Sequence, residues 1–458
     1  MNKTEKVIAA VTRGIRDGIL PPGARIASVR NASEDFKVSK NTVIEAYDRL
    51  AAQGLIVARR GSGFFVAERQ EPIGETEAPP PRHLSEAADR ISLLRSQLTQ
   101  DFSVRVGDGR PPASWMDSSI PARLGNDLFR REAGDRSGYG SAFGHLELRE
   151  LIAARHRAEQ IHITADQVVT TFGANHALDL IIRRYLSPGD CVLVDDPGYY
   201  PLFAKLKLAQ VRFVGVRRAK NGPDLEDLAA KTARERPRIF FTQSTGHNPT
   251  GTSFDLPTAH GVLQIANQAR MLVVDDDPFV DLPGRGGIRL AALDQIRSVI
   301  FVGSFSKVLS ASFRCGYIAA PAEIATDIAE LKMITVVNSS RFSEMMIAEM
   351  IKSRRYHKHL LKLGKRLDEA KAEYGAKLEN LGLDAFSAET DGYYSYLMLP
   401  KGRSDLELAK TAGRAGIFIA PSTIFSADES QQDPAIRINI TRVNDSRFYN
   451  FIRQQIGS

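Results

Sequence analysis

The chain has 458 residues, about three times a common domain length, so two to four folded units are expected. Apolar residues make up 43% and charged residues 25%, which excludes a wholly disordered, collagen-like or fibrous chain. The net charge of +7 is gathered at one end: residues 1–69 hold 12 Lys/Arg against 7 Asp/Glu, and the rest hold 49 against 47. A small basic module ahead of a near-neutral body points to a polyanion-binding head.

The N-terminal MNKTEKVIAAVTRG lacks a long apolar run ending in a small-residue cleavage site, and no stretch approaches the ~20 apolar residues of a membrane span. A soluble cytoplasmic protein is the expectation. The first helix, EKVIAAVTRGIRDG, places Val7, Ile8, Val11 and Ile15 at helical spacing and stops at Gly18. A second is predicted from Ser28 to Phe36. Ser39 caps a third, in which Val43, Ala46, Tyr47 and Leu50 form one apolar face. Lys40, Asn41 and Thr42 then lie at an exposed helix N-terminus, where a recognition helix meets bases and phosphates. LIVARRGSGFFVA follows as two short strands around Arg59-Arg60-Gly61-Ser62-Gly63, a turn able to enter a minor groove or grip phosphates. Any one of these elements is ordinary; three helices and a basic wing within 69 residues are more specific.

Residues 70–95 read as a linker. Pro72, Pro79, Pro80 and Pro81 stand among Glu71, Glu75 and Glu77 with few large apolar side chains, a composition that favours an extended segment. From 96 to 458 the pattern alternates. Apolar runs at 191–196, 211–216, 238–243, 271–276 and 298–303 are separated by helical segments such as 224–235 and 256–270. Strands alternating with helices argue for an α/β domain with a mostly parallel sheet. A long helical run from 342 to 381 leads to a smaller α+β lobe with strands at 393–399, 417–421 and 436–441. Cys191 and Cys315 lie far apart and form no disulfide framework or zinc motif, in keeping with a reducing compartment.

Candidate chemistry gathers at strand ends. Gly173-Ala174-Asn175-His176 turns from a strand into a helix, whose N-terminus is an anion site. Tyr199 in DPGYYP either stacks on a flat ring or packs in the core. Asn248-Pro249-Thr250-Gly251 is good turn chemistry on its own. Asp276 ends a strand, where a carboxylate can hold a pyridine nitrogen or cap the next turn. Gly303-Ser304-Phe305-Ser306-Lys307, with Arg314 beyond, sets an amine between hydroxyls with a guanidinium nearby. Schiff-base chemistry needs such an amine in a shaped, dry site.

The stretch from Gly18 to Ala67 resembles the winged helix-turn-helix of the GntR family. The match rests on Gly18, Leu20, Pro22, Gly23, Ser28, Arg30, Val38, Ser39, Thr42, Val43, Ala46, Tyr47, Leu50, Gly54, Gly61, Ser62 and Gly63; Ala27 stands where that family usually has proline. This resemblance implies DNA contacts at Arg30, Ser39, Lys40, Thr42 and Arg60. From about Tyr139 to Arg437 the chain resembles the fold-type-I pyridoxal-phosphate enzymes of the aspartate aminotransferase superfamily. The resemblance implies pyridoxal 5'-phosphate as cofactor, with Lys307 forming the internal aldimine, Asp276 pairing with the pyridine nitrogen, Asn248 approaching the ring 3-oxygen and Tyr199 stacking on the ring. Ala174, Asn175, Ser304 and Arg314 would hold the phosphate, Arg437 would grip a substrate carboxylate, and Tyr139 would reach the phosphate of a neighbouring subunit. The superfamily's tyrosine after the aspartate is replaced by Pro278 and Phe279, so Tyr200, Tyr393 or Tyr394 would have to supply a hydroxyl.

Both halves in this order resemble the MocR (GabR/PdxR-like) transcription regulators. The architecture implied is an N-terminal winged helix-turn-helix of α+β class and a C-terminal α/β transferase of fold type I with a small α+β lobe. The implied partners are a double-stranded DNA operator, a small amino-compound effector and a second copy in a head-to-tail homodimer. The effector, an amino acid, amino sulfonate or diamine derivative, would act through external aldimine formation at Lys307; a sensor of the cofactor itself, with no amino effector, is a rival reading. The alternative is a working aminotransferase carrying a DNA-binding module, although the missing tyrosine suggests at most a slow half-reaction.

Overall fold

A computed structural model describes residues 2–59, 61–67, 102–116, 124–125, 138–428 and 433–456. The chain divides into two compact units, Met1–Pro79 and Pro80–Ser458. The linker predicted at 70–95 lies outside the described residues.

The first unit is a three-helix head with a two-stranded wing. Helix α1 (Lys3–Arg16) starts at Asn2, whose side chain and Glu5 form a reciprocal capping box. Helix α2 (Val29–Asp35) is capped by Ser28 and α3 (Lys40–Ala52) by Ser39. Strands β1 (Ile56–Arg59) and β2 (Gly63–Val66) pair antiparallel, with Arg59 opposite Gly63. The core is the apolar faces read from the sequence: Val7, Val11, Ala32, Val43, Ala46, Tyr47, Leu50, Ile56 and Val66 are buried together. The Tyr47 hydroxyl donates to the Ala27 carbonyl at 2.8 Å, which ties the turn before α2 where proline stiffness is missing.

The second unit is built on one sheet in the order β3-β10-β9-β8-β7-β4-β5-β6. Its strands are β3 (Val168–Thr171), β4 (Cys191–Asp196), β5 (Arg212–Ala219), β6 (Gly222–Pro223), β7 (Ile239–Thr242), β8 (Leu272–Asp277), β9 (Val299–Ser304) and β10 (Gly316–Ala319). Strand β10 runs antiparallel to both its neighbours, β6 is a short antiparallel edge, and the other pairings are parallel. The near-continuous apolar runs of the sequence follow from burial on both faces. Val192, Val194, Ile239, Phe241 and Val302 pack on one side with Leu178, Ile181 and Ile182 of helix α5 (Ala174–Tyr185), which follows α4 (Leu146–Ala158). Leu193, Phe240, Val273 and Val299 pack on the other with Ala259 and Val262 of the helix Leu256–Ala269.

The small lobe differs from expectation in two places. The predicted helix over 342–381 is two helices, Arg341–Lys352 and Arg355–Leu381, because Arg354 takes a left-handed φ of 57°. Of the strand expected at 417–421 only Ala420–Pro421 joins the sheet with Tyr394–Met398 and Ala435–Asn439. The Phe418 backbone instead donates to Val104 O and accepts from Gly107 N, both at 2.8 Å, so the first described stretch of this unit takes those hydrogen bonds. No helix among the described residues is long and apolar enough to cross a membrane.

Gly144 has φ 99°, and a Cβ there would overlap the Thr170 hydroxyl, which is itself hydrogen-bonded to Glu344 at 2.6 Å. Gly144→Ala is therefore expected to lower unfolding free energy by about 3 kcal/mol, read by urea denaturation. Gly375→Ala, in a helix with open space around it, should instead stabilise by up to about 1 kcal/mol.

Candidate functional site

The site residues arise where chain segments leave the sheet: Phe172–Asn175 after β3, Tyr199 after β4, Gln243–Asn248 after β7, Asp276 near the end of β8, Ser304 at the end of β9 and Lys307 beyond it. The carboxyl ends of parallel strands open into a crevice because the chain there turns away into helices. A buried carboxylate lies at its floor. Asp276 is 6% exposed; its Oδ2 accepts from Gln243 Nε2 at 2.8 Å, while its Oδ1 has no hydrogen-bond partner. Burial raises its pKa to about 7, opposed by the Gln243 bond, reinforced by Asp277 and Asp275, and opposed again by Lys307. Tyr199 and Asp276 line one small cavity with Gln243 and His247. Burial, and then Asp276, push the Tyr199 phenol well above its usual range.

Gln243 joins two elements, since its Oε1 also accepts from the Asn248 backbone N–H at 2.7 Å. The Asn248 side-chain oxygen accepts from Arg437 Nη1 at 3.1 Å. Arg437, on the strand Ala435–Asn439, is 1% exposed and lies over the rings of Tyr394 and Phe425 at 4.9 and 5.0 Å. Its Nη2 donates to Gly107 O at 2.6 Å, and its Nε has no partner. Lys307 Nζ donates to Gly109 O, which also accepts from the Tyr394 hydroxyl at 2.9 Å. A Cβ on Gly109 would come within 3.3 Å of Lys307 Nζ and 3.8 Å of Arg437 Nη2, so one backbone strap passes over both cationic side chains.

A second cluster lies at the start of α5. Gly173 turns the chain with φ 84°, and Arg314 Nη2 donates to Phe172 O at 2.8 Å. A Cβ on Gly173 would come within 3.4 Å of that guanidinium. Ala174 and Asn175 open the helix, and the buried Asn175 Oδ1 has no partner. Ser304 Oγ accepts from the Ser306 N–H at 3.2 Å, and Ser306 Oγ is buried without a partner. A helix N-terminus beside an arginine can hold an anion, and the strand-end amine and unpaired carboxylate can engage an aldehyde and a ring nitrogen.

Phe279 is fully buried edge-to-face against Tyr393 and Tyr394, with centroids 4.8 and 5.6 Å away. The Tyr393 hydroxyl donates to Lys307 O at 2.9 Å, so both phenols beside Phe279 are engaged by backbone carbonyls. Tyr139 is 85% exposed and is not brought to the cluster within the chain. Gln243, Gly107 and Gly109 escaped sequence reasoning. Gln243 carries a usable signal, a polar residue closing the apolar run RIFFTQ; the two glycines are placed only by tertiary packing.

In the head, Ser39 Oγ accepts from the Thr42 N–H at 3.2 Å and shares a 2.8 Å hydroxyl contact with Thr42. Lys40 is exposed at the first turn of α3, and Arg30 is exposed with only a 3.4 Å contact to Glu34. Arg60 lies outside the described residues. No group of side chains suited to a metal occurs among the described residues.

Residues 103–453 match the family model described as aminotransferase class I and II, and residues 3–66 match bacterial regulatory proteins of the gntR family. The chain is 28% identical over 444 residues to YdcR, an HTH-type transcriptional regulator of Escherichia coli (strain K12), covering 94% of this chain and 93% of the relative. It is 28% identical over 356 residues to the probable rhizopine catabolism regulatory protein MocR of Rhizobium meliloti, covering 76% and 71%. Among solved structures, the α-aminoadipate aminotransferase LysN of Thermus thermophilus superposes with TM-score 0.72 at 24% identity, over 81% of this chain and 95% of that one. An archaeal alanine:glyoxylate aminotransferase gives 0.70 at 24%, over 82% and 95%. At these identities the likeness is one of fold.

Proposed function

Since the chain belongs to the aminotransferase class I and II family and carries a gntR-type head, we propose that it is a DNA-binding transcription regulator whose body holds pyridoxal 5'-phosphate and answers an amino compound. When bound, the cofactor supplies a carbonyl that condenses with amines and a ring that withdraws electrons. Lys307 Nζ would be the protein's own amine at that carbonyl. Asp276 would hold a proton between its free Oδ1 and the ring nitrogen, and Gln243 fixes the carboxylate's other oxygen for that task. Tyr199 and Asn248 would frame the ring. Ala174, Asn175, Ser304 and Arg314 would hold the phosphate, and Tyr139, exposed within one chain, would do so for the partner of a dimer. Arg437 would take the carboxylate of the effector in a bidentate grip that lysine cannot reproduce.

The observation that carries this reading is the juxtaposition of Lys307 with a buried, half-unpaired Asp276 whose pKa is raised, a combination costly to keep unless a cationic ring partner uses it. A regulatory rather than catalytic role is favoured by Phe279, which places no phenol after the aspartate. The route to the head is supported by the strap. Residues 104–107 are hydrogen-bonded to Gly416 and Phe418 of the small lobe and, through Val106 O, to Asn439 N at 2.7 Å. A carboxylate arriving at Arg437 would compete with Gly107 O. It would thus bias a segment that is hydrogen-bonded to the small lobe and follows residues 70–95 along the chain.

The test is to load the protein with pyridoxal 5'-phosphate, reduce it with borohydride and map the mass gain, then titrate amines while measuring operator-duplex affinity. Mass gain on the Lys307 peptide and an affinity change with a carboxylate-bearing amine are expected. Sustained turnover of an amino donor with a keto acid would overturn the regulatory reading. Lys40→Ala should weaken duplex binding similarly across sequences and reduce the salt slope by about one, read by fluorescence anisotropy across a salt series.

A further inference from the structure

Phe172 is the hinge between β3 and the turn into α5, and both of its backbone groups are held by side chains. Its N–H donates to His176 Nδ1 at 3.1 Å, and its carbonyl accepts from Arg314 at 2.8 Å. The two rings lie tilted against each other with centroids 5.5 Å apart. Thr171 Oγ1 closes the same turn by donating to Gly173 O at 3.1 Å. An imidazole that accepts at Nδ1 is neutral and carries its proton on Nε2. Burial, then the neighbouring Lys332, hold its pKa down to about 4; Asp179 acts against them, and Lys205 and Arg183 with them. The acceptor therefore persists at ordinary pH. Without it the Phe172 N–H would lose its partner, and the Gly173 turn would be freed together with the guanidinium hooked to Phe172 O.

We propose that His176 is a positioning residue for a phosphate at the start of α5: its Nδ1 clamps the Phe172–Gly173 turn so that the first N–H groups of the helix and Arg314 converge on one anion. The first N–H groups of a helix have no helical partner, so their direction is set by the turn before them. This rests on the reading of the body as a pyridoxal-phosphate domain and assigns within it a residue that touches neither ring nor phosphate.

The experiment compares the parent chain with His176→Ala and His176→Gln, measuring dissociation constants for pyridoxal 5'-phosphate and for phosphate-free pyridoxal by absorbance titration. His176→Ala is expected to weaken the phosphorylated aldehyde about tenfold, the scale of one lost hydrogen bond, and to leave pyridoxal affinity unchanged. His176→Gln, whose amide oxygen can accept the same N–H, should restore most of the loss. Parent-like binding of the phosphate ester by His176→Ala, or an equal loss for both aldehydes, would overturn this proposal alone. Failure of the parent to bind either aldehyde would overturn it together with the reading of the body.

Discussion

Replacing Lys307 with alanine is expected to abolish borohydride-fixable capture of pyridoxal 5'-phosphate and, with it, the response of operator binding to amines. The chain holds many other lysines, but none described is placed like this one. Lys307 stands three residues beyond the end of β9, its main-chain oxygen is held by the Tyr393 hydroxyl and its Nζ lies under the Gly107–Gly109 strap that also covers Arg437. A lysine so confined loses little further freedom on reaction, whereas a surface lysine would have to be ordered first. Intact mass and peptide mapping after reduction decide the matter. Capture at full stoichiometry in Lys307→Ala, at any other lysine, would sink the assignment.

The second large effect concerns Asp276→Asn, and it has opposite signs for binding and for stability. A carboxylate whose pKa is raised to about 7 by burial keeps a proton in the folded chain that the unfolded chain has already released. Folded-state stability is therefore fullest below the unfolded pKa near 4 and declines as pH rises towards 7. Asparagine removes that decline. In the cofactor-free protein the stability gained by Asp276→Asn should be larger at pH 8 than at pH 5, by about 2–3 kcal/mol. The same change deprives a ring nitrogen of its charged partner, and affinity for pyridoxal 5'-phosphate should fall about 10- to 100-fold. Urea denaturation at the two pH values and a binding titration read the two effects separately. A variant less stable than the parent at pH 8 would mean that the carboxylate is held for the fold rather than for a ligand.

The elements of both units were legible because their signals are local. Apolar periodicity and the caps Ser28 and Ser39 mark the head's helices, and runs of Val, Ile and Phe bounded by Asp, Gly and Pro mark the buried strands. Candidate residues were legible where they stand at strand ends, because a polar residue that interrupts an apolar run shows where a sheet opens. The break at Arg354 was not, since the residues around it keep helical composition and only the left-handed backbone there ends the run. Nor was the loss of strand at 417–419, whose backbone is claimed by a segment more than 300 positions away.

Composition, charge placement and short-range pattern were enough to divide this protein into a basic helical head and an α/β body and to draw attention to Lys307 and Asp276, because each of those features is carried by neighbours in the chain, whereas Arg437 was reached only through the family resemblance. How the three are held became visible only in three dimensions. Gln243 locks one oxygen of Asp276 and leaves the other unpaired, Gly107 and Gly109 lay their carbonyls on Arg437 and Lys307, and Arg314 hooks the Phe172 carbonyl. Hydrogen bonds and burial between segments far apart in sequence depend on how sheet, strap and small lobe pack, and no local pattern of residues encodes that packing.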